Sequence, residues 1–163
     1  MHDPAPPTPP APDHRRHVRT SDSRGQSLVE FVLVFPILMI LVFGVIDFAM
    51  GVRSYVALTN ATREGARFGA VGSPLGSPVT SCVGEGGATV VGRVCTVSEG
   101  LNKSQIAVTP SCDSECDAGN SLRVEASYQY NFFTPLGDFM DFFSGGAFPE
   151  TIDLNTSADM RLE

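Results

Sequence analysis

The sequence predicts an α+β protein in which a long apolar N-terminal helix precedes a small antiparallel β-sheet domain. The first observation is an uninterrupted apolar segment: residues 31–46 comprise fourteen large apolar side chains, one proline and one glycine. The second is the alternation of apolar and polar residues over 122–132 and again over 152–162. A period of two residues is typical of a half-buried strand. The length allows one domain with an appendage.

The charge distribution and the positions of the histidines exclude several functions. The 163 residues carry a formal charge of −7, and beyond Phe68 there are twelve acidic residues and only four basic ones. Nucleic-acid binding requires clustered cationic side chains, which this surface lacks. His2, His14 and His17 all precede the apolar segment, so the later chain holds no Ser/His/Asp or Cys/His pair. We therefore expect neither an enzyme nor a cofactor, and no metal.

Composition divides the chain into four segments. We expect a basic, proline-rich disordered leader over 1–25, because almost nothing there could be buried. Residues 26–70 are expected to form a transmembrane helix that continues into a stalk. A Gly/Ser/Pro linker follows over 71–81. We expect residues 82–163 to form an acidic, β-rich, extracytoplasmic domain.

The apolar segment is long enough to cross a membrane. From Glu30 to Asp47 there are seventeen helical steps. At about 1.5 Å per residue they cover about 25 Å, close to the hydrocarbon thickness of about 30 Å. The arginines that precede the segment favour a cytoplasmic N-terminus and an external C-terminal domain. Arg53, Arg63 and Arg67 on the far side weaken this inference.

Two residues distinguish this segment from a generic anchor. Glu30 lies inside the apolar segment, where an ionised carboxylate is costly without a partner. Pro36 has no N–H for the carbonyl of Val32, so we expect the helix to loosen there. A carboxylate near a helix end also reaches the interface by snorkelling, so spacing alone leaves both interpretations of Glu30 open.

The residues around Glu30 resemble a class III signal, the site that prepilin peptidases cut. The string is Arg24-Gly25-Gln26-Ser27-Leu28-Val29-Glu30-Phe31. The resemblance implies cleavage between Gly25 and Gln26, which leaves 138 residues with Glu30 at the fifth mature position. It also implies that Glu30 pairs with the free α-amine of a neighbouring subunit in a low-dielectric helix bundle.

A second string narrows the resemblance to one family. Asn60-Ala61-Thr62-Arg63-Glu64-Gly65-Ala66-Arg67-Phe68 is similar to the REGAR motif of TadE-like proteins. These are minor pseudopilins of the bacterial tight-adherence (Flp) pilus system. The family's typical opening is matched by Gly25, Val29, Glu30, Phe31 and Pro36.

The resemblance implies a structural role in pilus assembly and a location in the cytoplasmic membrane or in a surface pilus. It implies as partners a prepilin peptidase, other pilus subunits, the inner-membrane assembly platform and membrane lipid. The strong resemblance covers about residues 24–70.

The second string also carries a stripe of small residues. Ala61, Gly65 and Gly69 recur every four residues, which permits close packing on one helix face. This face is expected to dock either the chain's own sheet or a neighbouring subunit. The alternative is a solvated helix face.

The C-terminal segment is expected to be mainly strands. Two Gly-Ser-Pro repeats over 71–78 end the helix. We predict strands over 88–97, 105–109, 122–132 and 152–162, the last closing the sheet antiparallel. An aromatic-rich loop or short helix between the last two is expected to cover the apolar face of the sheet, with a partner-binding patch as the alternative. Its residues are Phe139, Met140, Phe142, Phe143 and Phe148.

All four cysteines fall in this domain, which suits an oxidising compartment. Three pairings are possible, and we favour Cys82–Cys95 with Cys112–Cys116 because both are local in sequence. A four-thiolate zinc site is the alternative, although the cysteine spacing is a weak match. The acidic residues around the second pair, at 113, 115 and 117, suggest a solvated loop rather than a calcium site.

Two other functions remain open. The chain could be a single-pass anchored binding domain that is never processed and in which Glu30 is incidental. An anchored enzyme would depend on carboxylates alone, for instance Asp113, Glu115, Asp117 and Glu125.

Overall fold

The predicted long helix is present and unbroken. The computed structural model describes residues 23–163 except 114, 148 and 150, and its first element is a helix over Ser23–Ala70 (α1). Chain contacts divide the molecule into two units, Met1–Ile37 and Leu38–Glu163. Most of the predicted leader, up to residue 22, lies outside the described residues.

A glycine turn ends α1 at the place where the Gly-Ser-Pro repeats begin. Gly72 has φ +81°, and its N–H donates to the carbonyl of Gly69 at 3.0 Å. Glycine adopts this left-handed conformation without the Cβ clash that other residues incur. The segment that follows is attached to the rest of the domain, since the carbonyl of Pro74 accepts a hydrogen bond from Val90 at 2.9 Å.

The strand predicted over 88–97 is wrong, because a short helix, Val90–Val97 (α2), occupies this segment. The hydroxyl of Thr89 caps it by accepting a hydrogen bond from the N–H of Gly92 at 3.0 Å. Val90, Val94 and their neighbours are buried on one side of the helix. β propensities differ by only about 1 kcal/mol over all residue types, so capping and one-sided burial outweigh the β preference of valine.

Three strands form one antiparallel sheet. They are Ile106–Cys112 (β1), Ser121–Asn131 (β2) and Thr151–Arg161 (β3), in the order β1-β2-β3. Ile106 pairs with Tyr128, and Tyr128 pairs with Leu154 across the sheet. The predicted α+β class, the alternating strand over 122–132 and the antiparallel closing strand are thereby confirmed.

The core lies between the second half of α1, α2 and one face of the sheet. Alternate residues of β2 are buried, as their two-residue period predicts. Thr62 of α1 is also buried, and its hydroxyl donates to the carbonyl of Leu58 at 2.8 Å. The largest fully buried apolar side chains are Leu58, Val90, Val91, Val94, Ile106, Val108, Leu122 and Val124.

The aromatic-rich segment between β2 and β3 contains a helix, Leu136–Ser144 (α3). Phe139 and Met140 are half-buried, whereas Phe142 is 81% exposed and does not cover the sheet as expected. Phe148 lies outside the described residues. The short helix is present, whereas its covering role over the sheet stays a prediction.

Candidate functional site: the two halves of the long helix

The first part of α1 exposes an apolar surface. By length and composition, Gly25–Ala70 contains a segment that could cross a membrane, and none of its most apolar window is buried within the protein. Gly25, Gln26, Glu30 and Phe31 are exposed on this part of the helix. All four lie within the first two turns of the apolar part of α1.

Pro36 lies inside α1 rather than at its end. It has no N–H, so the carbonyl of Val32 lacks the donor that the helix would otherwise supply. Directly before it, the rings of Phe31 and Phe35, one turn apart, are tilted against each other with their centres 5.3 Å apart.

The REGAR residues lie in the second half of α1, where the helix carries the sheet domain. Gly65 and Ala66 are buried, whereas Arg63 and Arg67 are exposed. Glu64 is partly exposed and accepts a hydrogen bond from Arg93 of α2 at 2.9 Å. The motif therefore presents one apolar side to the domain and its arginines to the surroundings.

The small-residue stripe is the surface on which α2 and the sheet pack. A Cβ added to Gly65 would overlap the side chain of Val94 of α2. A Cβ added to Gly69 would overlap Leu122 of β2 and lie 2.8 Å from a methyl of Val90. Of the two docking partners expected from the sequence, the chain's own domain is the one in contact.

The same helix contacts both ends of β2. At its start, Leu122 lies against Gly69, and near its end a Cβ on Gly51 would be 3.9 Å from the ring of Tyr130. Eighteen helical steps cover about 27 Å, and eight strand steps cover about 26 Å. The strand therefore runs antiparallel to α1 with closely matched length.

Asp47 is a residue whose role the sequence analysis missed. It is only 4% exposed, although it follows the apolar segment directly. Its Oδ1 accepts hydrogen bonds from the backbone N–H groups of Phe133 at 2.7 Å and Thr134 at 3.1 Å. Its Oδ2 accepts one from the hydroxyl of Thr134 at 2.5 Å, and the hydroxyl of Tyr130 donates to its backbone carbonyl at 3.3 Å.

The carboxylate of Asp47 thus fastens the loop after β2 to the helix. A charged hydrogen bond is stronger than a neutral one, and two otherwise unpaired N–H groups depend on this carboxylate. Only the position of Asp47 at the end of the apolar segment hinted at a special environment. Its partners lie 83 to 87 residues away, beyond the reach of any local pattern.

Tyr130 is buried beside this carboxylate. Burial is the main cause that raises the pKa of Tyr130 above its ordinary value, and the negative charge of Asp47 adds to it. The phenol therefore stays neutral further into the alkaline range than an exposed tyrosine would.

On the opposite face of the sheet, Arg123 and Asp159 form a cross-strand ion pair at 2.9 Å. The hydrogen bond to Asp159 raises the pKa of Arg123. Both side chains are about half exposed, so this pair contributes little to stability.

The cysteines are joined as Cys82–Cys95 and Cys112–Cys116, with Cα–Cα distances of 5.2 and 5.5 Å. This is the pairing that the sequence analysis favours, and it leaves no thiolate for the alternative zinc site. Within the described parts of the chain, no group of three or more His, Cys, Asp or Glu residues is placed to hold a metal ion.

Together, these features define an α+β protein with one helix of membrane-spanning length. A small disulfide-linked domain packs on the second half of this helix. The family model described as TadE-like protein matches residues 25–67. The sequence of this segment is thus that of a TadE-like protein, which confirms the resemblance seen in the sequence. The match includes both the Gly25–Phe31 string and the REGAR motif, whereas residues 68–163 lie outside it.

No curated protein and no solved structure matched the chain. The match to the TadE-like family over residues 25–67 implies a component of Tad pilus assembly.

Proposed function

We propose that this protein is a minor pseudopilin of the tight-adherence pilus, cut by a prepilin peptidase after Gly25 and acting structurally in pilus assembly. The observation that carries the proposal is the placement of Glu30: an exposed carboxylate on the apolar part of α1, five residues after Gly25, inside the segment matched by the family model. An ionised carboxylate in this setting is costly without a partner. Cleavage creates one, because each mature chain then begins with a free α-amine at Gln26.

The two halves of α1 differ in what they contact, and this difference supports a structural role. The half from Asp47 onward is occupied by the chain's own domain, through Asp47, Gly65 and Gly69. The preceding apolar half is exposed. A helix that is apolar around its circumference packs against lipid or other apolar helices. We infer that this half joins the helices of other pilus subunits and that the domain remains outside the bundle.

The two disulfides support an extracytoplasmic position for the domain. Disulfides persist in oxidising compartments and are rare in the cytoplasm. With the C-terminal domain outside, the arginine-rich leader is cytoplasmic, where the positive-inside rule expects it. In this orientation the protein resides in the cytoplasmic membrane before it enters or assists a pilus.

Intact-mass measurement and N-terminal sequencing of protein from the native host test the processing step. We expect a mature chain of 138 residues that begins at Gln26. Gly25→Ala should keep the full length, whereas the matched control Gly44→Ala, on the same helix with open space around it, should be processed normally. A mature chain that begins at another residue contradicts the proposal.

The second candidate, an unprocessed anchored binding domain, is tested by the same variants. If Gly25→Ala retains both the size and the function of the unaltered protein, the anchored-domain interpretation replaces the pseudopilin. Quantifying the chain in sheared pili and in membranes then separates a filament subunit from an assembly factor.

A further inference from the structure

The connection between β2 and β3 lies at the end of the domain next to the apolar part of α1. Since β2 runs antiparallel to the helix from Gly69 towards Gly51, the residues after Tyr130 emerge beside Asp47. The hydrogen bonds from Phe133 and Thr134 to Asp47 fix this position. We call residues 132–147 the proximal connection. If the segment before Asp47 crosses the membrane, the proximal connection is at the level of the bilayer surface.

Asp47 does not mark the polar boundary that its charge would suggest. Its carboxylate is buried and fully supplied with donors by the proximal connection, so it needs no contact with water. The outer surface of the helix remains apolar beyond it, with Phe48 74% exposed and Val52 also exposed. Arg53 is the next charged residue on the helix and is exposed. The apolar surface therefore continues past Asp47 by more than one helical turn.

The proximal connection extends this apolar surface sideways. Between α1 and the sheet, an open groove of about 390 Å³ is lined almost entirely by apolar atoms, including Phe48, Val52, Leu136 and Ile152. Beside it, the side chain of Phe133 is 72% exposed although its backbone is held by Asp47. Phe142 of α3 is exposed still further, as described above. The groove adjoins the apolar part of α1 through Gly44 and Phe48, and its lining residues Phe132 and Leu136 belong to the same connection as Phe133 and Phe142.

We propose that the proximal connection inserts into the interfacial layer of the bilayer, with Phe133 and Phe142 among the acyl chains and lipid in the groove beside Phe48. This rests on the proposed membrane anchoring of α1. Aromatic side chains are favoured at this depth, and amphipathic segments lie in the same layer. The occupant is lipid because the groove adjoins the exposed apolar part of α1, which the proposed anchoring places in the bilayer. The charged residues of α3 are Asp138 and Asp141, so the attraction is apolar and does not require anionic lipid.

Tryptophan fluorescence tests the proposal directly, because the chain contains no tryptophan. Full-length single variants are placed in zwitterionic phosphatidylcholine vesicles with or without bromine atoms on the acyl chains. Phe133→Trp keeps the backbone N–H that binds Asp47, and Phe142→Trp is a second, independent probe. Leu38→Trp reports the anchor. Val71→Trp is the matched control, equally exposed on the same domain, and lies about 36 Å along the helix from Asp47.

We expect bromolipid to reduce the emission of Phe133→Trp and Phe142→Trp about twofold or more, as insertion below the headgroups requires, and to leave Val71→Trp unchanged. If bromolipid quenches Leu38→Trp but neither Phe133→Trp nor Phe142→Trp, the proximal connection does not insert. That result would overturn this proposal and leave the anchoring of α1 intact. If the emission of Leu38→Trp is not quenched, the proposed membrane anchoring of α1 is wrong. Emission from Phe133→Trp that is unquenched and shifts with protein dilution would assign the contacts of the proximal connection to a second copy, and so overturn insertion into lipid.

Discussion

The carboxylate of Asp47 accepts a hydrogen bond from the backbone N–H of Phe133 at 2.7 Å, although 86 residues separate the two in sequence. This bond joins the end of the apolar segment to the far end of the β-sheet domain. At this end of the domain, the attachment to α1 includes a buried carboxylate. The predictions below begin with this contact.

Asp47→Ala should destabilise the domain by about 2–4 kcal/mol, because each buried donor left without a partner costs about 1–3 kcal/mol. The measurement is a denaturant titration of the full chain in detergent micelles, followed by circular dichroism. Asp153→Ala, which removes an exposed carboxylate from β3, is the control and should change the free energy of unfolding by less than about 0.5 kcal/mol. Equal stabilities of the two variants would contradict the role assigned to Asp47.

Gly65→Ala should destabilise the protein by about 1–3 kcal/mol, because the added methyl overlaps Val94 and α2 must shift. The control is Gly44→Ala on the same helix, where nothing lies within 4 Å of the added methyl. That change should be neutral or stabilising by up to about 1 kcal/mol, since alanine favours helix. The same titration compares them, and a Gly65→Ala variant as stable as Gly44→Ala would show that α2 does not pack so closely.

The Cys82–Cys95 disulfide should contribute more to stability than Cys112–Cys116. The first links buried cysteines 13 residues apart, whereas the second closes a loop of only four. Replacing both members of the first pair by alanine should cost about 2–4 kcal/mol, and the second pair less, because the longer loop loses more entropy in the unfolded chain. The comparison is the midpoint of unfolding of the two double variants. A larger loss for the Cys112–Cys116 variant would contradict this order.

The raised pKa of Tyr130 predicts a loss of stability in alkali. The folded protein holds the phenolic proton more tightly than the unfolded chain, so this contribution is complete below the ordinary tyrosine pKa. It is lost as the pH rises from there through the folded pKa. Ultraviolet absorbance of phenolate during a pH titration should show one of the three tyrosines ionising later than the others. Tyr130→Phe should remove that late step; its persistence would assign it to another tyrosine.

Local patterns predicted those elements whose pattern and environment agree. The alternation over 122–132 correctly gave β2, because one face of this strand is buried along its length. The valine-rich segment 88–97 gave a wrong strand, since the cap on Thr89 and the packing of Val94 against Gly65 favour a helix there. Neither influence is visible in the β preference of valine. The aromatic segment was correctly allowed to be a short helix, but which of its rings would be exposed could not be read from sequence.

The site was predictable to a similar degree. The motif residues were identified by their resemblance to the family and the small-residue stripe from its spacing, and the stripe's role as a docking face is confirmed for the chain's own domain. The importance of Asp47 was not predictable, because a charge at the end of an apolar segment ordinarily marks the water boundary. Here its partners come from the loop after β2, and their proximity is a consequence of the antiparallel alignment of β2 with α1.

The sequence by itself determined the long apolar helix, the division into helix and sheet, and the family model that residues 25–67 match, since each depends on composition, spacing or motif residues within one element. Only the tertiary structure decided which part of α1 carries the domain, that Glu64 pairs with Arg93, and that Asp47 is buried. Those outcomes depend on distances between segments remote in sequence. Such distances are set when the whole core packs, and no local preference encodes them.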